Sequence, residues 1–113
     1  HFRIRLYVLP GPADLCIQDG EVLHVGNLEL KFIHTPGHTV GGMCILVDDK
    51  VLFSGDTLFQ QSIGRTDLPG GNYEQLINSI REKLLILPDN VEVYPGHGGK
   101  TTIGQERNSN PYI

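Results

Sequence analysis

The sequence predicts an α+β domain on three features. Runs rich in Val, Ile, Leu and Phe recur along the chain, separated by Gly, Asn and Asp turn residues. One stretch, 72–87, instead carries apolar residues at helical spacing. Three of the β-like runs end on a glycine turn bearing a histidine or an aspartate. These are His34-Thr35-Pro36-Gly37-His38-Thr39-Val40-Gly41-Gly42, Leu52-Phe53-Ser54-Gly55-Asp56-Thr57 and Val93-Tyr94-Pro95-Gly96-His97-Gly98-Gly99.

Residues 1–9 form a short β-like stretch ended by Pro10-Gly11-Pro12, and Ala13 to Asp19 is ambiguous. Asp19-Gly20 turns the chain into Glu21-Val22-Leu23-His24-Val25, and Gly26-Asn27 turns it again into Leu28-Glu29-Leu30-Lys31-Phe32-Ile33-His34. The second run alternates apolar and polar residues through Phe32, the pattern of a strand with one buried face, and Gly-Asn suits a hairpin turn. Thr35 precedes proline and is pushed to extended geometry, carrying the strand straight to the turn that presents His38. Met43-Cys44-Ile45-Leu46-Val47 is continuously apolar, fit for a strand covered on both faces. Asp48-Asp49 turns it into Lys50-Val51-Leu52-Phe53, which delivers Asp56, and residues 58–71 read as loop. Asn72 caps a helix with Gln75 at its third position. Its stripe of Tyr73, Leu76, Ile77, Ile80, Leu84 and Leu87 ends at Pro88. Val91 to Tyr94 is a short strand, and Thr102 with Gln105 opens a last short helix, closed before Pro111.

At 113 residues the chain holds one domain at most. A formal charge of −4 with scattered basic residues argues against a nucleic-acid surface. No apolar run approaches the ~20 residues that span a bilayer, and the first residues lack a signal-peptide pattern. Cys16 and Cys44 are outside any Cys-x-x-Cys pair and read as buried free thiols, which fits a reducing cytoplasm.

His38, Asp56 and His97 supply two imidazoles and a carboxylate, expected to meet at one metal centre. That set suits zinc, and equally ferrous iron with open positions. A bound metal would lower the pKa of its water to about 7 and polarise a carbonyl or phosphoryl oxygen. Taken singly, each residue has an ordinary reading: a surface histidine, or an Asx-turn aspartate. His34 lies four residues before His38, but Pro36 and Gly37 exclude a helix between them, so it reads as a strand-end residue. His24 sits in a strand and His1 at the terminus. Arg65 could meet an anionic substrate group or form a salt bridge with Asp67 or another carboxylate. Tyr94 and Ser62 read as packing and loop residues.

The three turns, with Phe53-x-Gly55-Asp56-Thr57-Leu58-Phe59 and Tyr94-Pro95-Gly96-His97-Gly98, resemble the later motifs of the metallo-β-lactamase-fold hydrolases. Within these they are similar to the hydroxyacylglutathione hydrolase (glyoxalase II)-like branch. Residues 62–71 and 101–106 resemble its short bacterial members, which lack the extra glutathione-binding domain. The resemblance implies an αββα sandwich of two similar halves. It also implies a first metal on His38, a second on His97, and Asp56 bridging both as the catalytic carboxylate. A bridging water would attack a small acyl thioester. Zinc, two per complete site, is the implied cofactor, with iron or manganese as substitutes.

The signature His-x-His-x-Asp-His of that family does not occur in residues 1–113. The chain therefore resembles the second, C-terminal half of the sandwich, a partial domain expected to be inactive alone. Such a half would expose an apolar sheet face. Self-association, or pairing with the missing N-terminal half, is the expected consequence. Two other functions stand beside the thioesterase: a persulfide dioxygenase-like enzyme with one iron on the same three residues, and a non-catalytic structural or oligomerising half-domain. No nucleic acid or membrane is expected as a partner.

Overall fold

In a computed structural model of the protein, backbone is described for residues 2–8 and 11–17, and backbone with side chains for 19–39 and 42–113. Strands β1 (Phe2–Val8) and β2 (Gly11–Ile17) pair antiparallel as a separate hairpin. The strand thus resumes at Gly11, inside the Pro-Gly-Pro expected to end it, and the ambiguous segment after it is extended. The reading of Cys16 as a buried thiol lies outside the described side chains.

The body of the fold is a six-stranded mixed sheet. Its strands are β3 (Val22–Val25), β4 (Leu28–His34), β5 (Met43–Val47), β6 (Val51–Gly55), β9 (Glu92–Pro95) and β10 (Thr101–Thr102), in spatial order β10-β9-β6-β5-β4-β3. Neighbours run antiparallel except β6 and β9, which are parallel and joined through the first helix. The left-handed Asp48 and Asp49 form the β5–β6 turn, and the Asp48 carboxylate accepts from the Glu29 N–H at 2.9 Å.

Helix α1 (Tyr73–Ser79) starts on Asn72, whose side chain accepts from the Gln75 N–H at 3.0 Å. It does not run to Pro88. Residues 80–84 open into a π turn, closed by Leu85 N–H donating to Ile80 O at 2.9 Å, and helical structure ends there. Leu76, Ile80 and Leu84 are fully buried, whereas Tyr73, at the helix start, is exposed. Helix α2 (Ile103–Ser109) is capped by Thr102, whose hydroxyl accepts from the Gln105 N–H at 3.1 Å.

Both helices lie against one face of the sheet. Ile33, Cys44, Leu46, Leu52 and Val93 from that face form one core with Leu76, Ile80, Leu84 and Ile103. Burying each such side chain contributes about 1.5–3 kcal/mol, which makes this layer the main source of stability. Cys44 is free and buried, and burial pushes its thiol pKa up. The opposite face carries Phe32, Ile45, Phe53 and Tyr94 in cross-strand register. Phe32 is buried there, so β4 is covered on both faces at its C-terminal end rather than on one. Phe53, at the same level, remains 48% exposed.

The segment 58–71 is not all loop. Leu58–Phe59 (β7) and Ser62–Ile63 (β8) form a small hairpin whose turn holds Gln61 at φ 55°. The sequence hid it because strands of two residues are too short to show a period. Among the described residues no helix is long and apolar enough to cross a membrane.

Candidate metal centre

Strands β4, β6 and β9 point the same way, because β4 and β6 each run antiparallel to β5 and β9 runs parallel to β6. Their C-terminal ends therefore open on one edge of the sheet, and the three glycine turns that follow them meet there. Backbone bonds lock the turns together. Thr35 N–H donates to Gly42 O at 2.9 Å, and Gly96 N–H donates to Gly55 O at 2.9 Å, tying the His97 turn to the Asp56 turn. The buried Thr35 hydroxyl stands 3.0 Å from that of Thr57, linking the His38 turn to the Asp56 turn.

Two glycines allow the close approach. At Gly37 a Cβ would lie 2.3 Å from the backbone of Leu76, so only glycine lets α1 seat directly on the His38 turn. At Gly64 a Cβ would lie 1.9 Å from Asp56 O and 3.2 Å from the His38 Cβ. Residue 64 thus packs against the Asp56 backbone and the His38 side chain at once.

The Asp56 carboxylate sits between the two imidazoles. Oδ2 is 3.7 Å from His38 Nε2, and Oδ1 is 3.7 Å from His97 Nδ1. These gaps are too long for hydrogen bonds. They lie near the roughly 3.4 Å that separates two donors about a tetrahedral ion. His38 Nδ1 is 2.7 Å from Arg65 O, and since a carbonyl can only accept, Nδ1 donates to it and Nε2 is the nitrogen turned to Asp56. His97 packs its ring 4.8 Å from that of Phe59. The donor set thus fits divalent metal, one imidazole to each carboxylate oxygen. Among the described residues no three His, Cys, Asp or Glu side chains close on a single ion. The His38 side chain is 21% exposed, Asp56 53% and His97 79%, so the centre is open on its His97 side.

A cavity of 660 Å³ lies over the three residues, walled by Phe59, Gln60, Ser62, Ile63, Gly98 and Gly99 and reaching Arg65. The Arg65 guanidinium forks onto Asp67, with Nε to Oδ1 at 2.8 Å and Nη2 to Oδ2 at 3.0 Å. That pairing holds the Asp67 carboxyl below its ordinary pKa. Arg65 meets the centre through its carbonyl, which no side-chain reasoning would single out. Ser62 is a cavity-wall residue. Tyr94 lies on the sheet face, beside Phe53, with ring centroids 5.9 Å apart. His34 ends β4 as read, its N–H donating to Asp19 at 2.8 Å. Phe59 was legible only as part of the Asp-Thr-Leu-Phe string, without a role.

The family model for the metallo-beta-lactamase superfamily matches residues 2–97. The chain belongs to that superfamily. Within the superfamily it is 50% identical over 97 residues to hydroxyacylglutathione hydrolase GloC of Haemophilus influenzae, covering 85% of this chain and 46% of the relative. The crystal structure of BLEG-1, a B3 metallo-beta-lactamase, superposes with a TM-score of 0.83 at 47% identity, over 91% of this chain and 50% of that one. TTHA1623, solved in a di-iron-bound form, gives 0.74 at 36% identity, over 86% and 47%. The αββα fold expected from the sequence is thus that of its structural neighbours, and this chain's sheet and two helices correspond to about half of it. The superfamily binds metals and consists mostly of hydrolases. The chain spans about half the length of the curated relatives it matches.

Proposed function

We propose that this chain supplies one half of the metal centre of a metal-dependent hydrolase that cleaves a small acyl thioester of the hydroxyacylglutathione kind. The observation that carries the reading is the Asp56 carboxylate offering a separate oxygen to each imidazole, as a bridge between two ions requires. The likeness to GloC supports the thioester, and the di-iron neighbour supports two metals. A persulfide dioxygenase-like centre, with all three donors on one iron, stands as the second reading.

His38, Asp56 and His97 would hold the metals, zinc by the likeness to the glyoxalase II-like branch, with iron or manganese able to replace it. When bound, they supply a nucleophilic water at neutral pH and positive charge for the carbonyl oxygen of the substrate. The chain's own groups do the rest. Arg65 O orients His38, Phe59 covers one side of His97, and Gly98 and Gly99 leave bare backbone where the acyl group would lie. Arg65, held by Asp67, would reach an anionic part of the substrate only by leaving that carboxylate.

The sheet face bearing Phe53 and Tyr94 is, on this reading, covered by the other half of the protein, since the relatives are about twice this chain's length. In the full protein loaded with zinc, release of free thiol from a lactoyl thioester of glutathione should fall at least about 100-fold on Asp56→Asn. Turnover that survives this substitution, or oxygen consumption on glutathione persulfide in its place, would refute the reading.

A further inference from the structure

Glu106 is a fully buried carboxylate that the metal centre does not use. Burial of a charged group is costly unless hydrogen bonds satisfy it. Three donors converge on it. Oε1 accepts the Gln61 N–H at 2.7 Å and the Asn110 amide at 3.0 Å, and Oε2 accepts the Thr101 hydroxyl. Asn110, also buried, donates a second bond to Ser62 O at 3.1 Å. One side chain on α2 and the residue that caps its C-terminal end thus hold both sides of the β7–β8 turn, the Gln61 N–H and the Ser62 carbonyl.

That turn is strained and does not hold itself. Gln61 is a non-glycine residue in the left-handed region, at φ 55°, which is unfavourable for any L side chain. The hairpin has two residues per strand, far below what is stable alone. Yet its first strand carries Phe59, whose ring lies 4.8 Å from that of His97, the most exposed of the three candidate ligands. Nothing else described packs an aromatic ring on His97.

We propose that Glu106 and Asn110 are positioning residues that grip the β7–β8 turn and thereby keep Phe59 seated against His97. The inference rests on the metal-centre reading only for why the orientation of His97 matters; the mechanical link stands on the contacts alone. It makes α2 part of the site, although no residue of that helix lines the cavity. It also explains why the buried acid is tolerated, because an acceptor-only group is what three converging donors need.

The test is nuclear magnetic resonance on the full chain without metal, so that its outcome is independent of hydrolase activity. Glu106→Ala should speed exchange of the Gln61 amide at least about 10-fold, as expected for a lost hydrogen bond of 1.4 kcal/mol or more. It should also move the His97 ring-proton shifts toward those of a Phe59→Leu variant, while core amides such as Leu52 keep their rates. Glu106→Gln should stay near the parent, because its amide oxygen still accepts from Gln61 and Asn110 while the Thr101 hydroxyl turns to accept from its NH₂. If Glu106→Ala does not fold, Asn110→Ala, which removes the donor to Ser62 O, is read by the same signals. Exchange that accelerates uniformly across the core, or His97 shifts that stay in place while Gln61 loosens, would overturn the proposal.

Discussion

Replacing Gly64 by alanine should damage the proposed metal centre from within the backbone. The added Cβ would stand 1.9 Å from Asp56 O and 3.1 Å from its carbonyl carbon. Relaxed contacts between heavy atoms lie at about 3.5 Å, so one segment must retreat by roughly 1.5 Å. Neither can do so freely. Gly64 N–H is bonded to Thr57 O at 3.0 Å, and the Asp56 turn is tied to the His97 turn through Gly55 O. Overpacking of this kind costs about 1–3 kcal/mol, and with backbone on both sides the upper end applies, a drop of roughly 100-fold in the folding constant. Gly20→Ala is the control. Gly20 has φ +81° and nothing within 4 Å, so it carries only the left-handed penalty of about 1 kcal/mol. Urea denaturation of both variants, with the slope unchanged, gives the two costs. Equilibrium dialysis of zinc against the full protein should show weaker binding for Gly64→Ala alone. If Gly64→Ala is no worse than Gly20→Ala, and zinc binding is intact, the close-approach argument is wrong.

Three further outcomes follow from the contacts around the sheet. Burial pushes the Asp19 carboxyl pKa up, but the hydrogen bonds from Lys83 and from the His34 N–H outweigh it and leave the group below its ordinary value. A depressed folded pKa adds stability above the unfolded value of about 3.9, lost as pH falls through the folded one. Asp19→Asn should therefore lower the urea midpoint at pH 6 and flatten its decline below about pH 4; an unchanged acid limb would refute this. Thr35→Val strands the buried Thr57 hydroxyl beside sulfur, a weak acceptor, at a cost of about 1–3 kcal/mol, whereas Thr35→Val with Thr57→Val should cost less than the two single changes summed. Strict additivity in denaturation would count against the shared bond. Asn72→Ala removes the α1 cap and should cost about 1 kcal/mol by the same measurement; a loss below about 0.3 would show the cap bond to be idle.

Local rules were enough wherever the cause was local. Asn72 and Thr102 were readable as caps because a side-chain oxygen two or three residues before free N–H groups is a short-range device. The apolar spacing of Leu76, Ile80 and Leu84 named the buried face of the helix, and the three glycine turns named His38, Asp56 and His97 as residues mounted on strand ends. What failed left no local pattern to read. The two-residue strands of the β7–β8 hairpin carry no periodicity, and the π turn after Ser79 depends on how Ile80 and Leu84 fit the sheet beneath them. Arg65 is drawn by its charge toward a substrate role, while the structure joins it to the centre through a carbonyl that every residue possesses.

By itself, then, the chain's order of residues determined an α+β domain, its main strands, its two helices and the three turns that carry His38, Asp56 and His97, because propensity, capping and turn chemistry act over a few residues. Only the tertiary structure decided that β4, β6 and β9 end on the same edge, that Asp56 shares its two oxygens between two imidazoles, and that a buried acid on α2 grips the cavity wall. Those facts depend on strand order and on contacts between residues as far apart as Gln61 and Glu106. Strand pairing is chosen by the whole sheet burying its apolar face at once, and no window of sequence contains that choice.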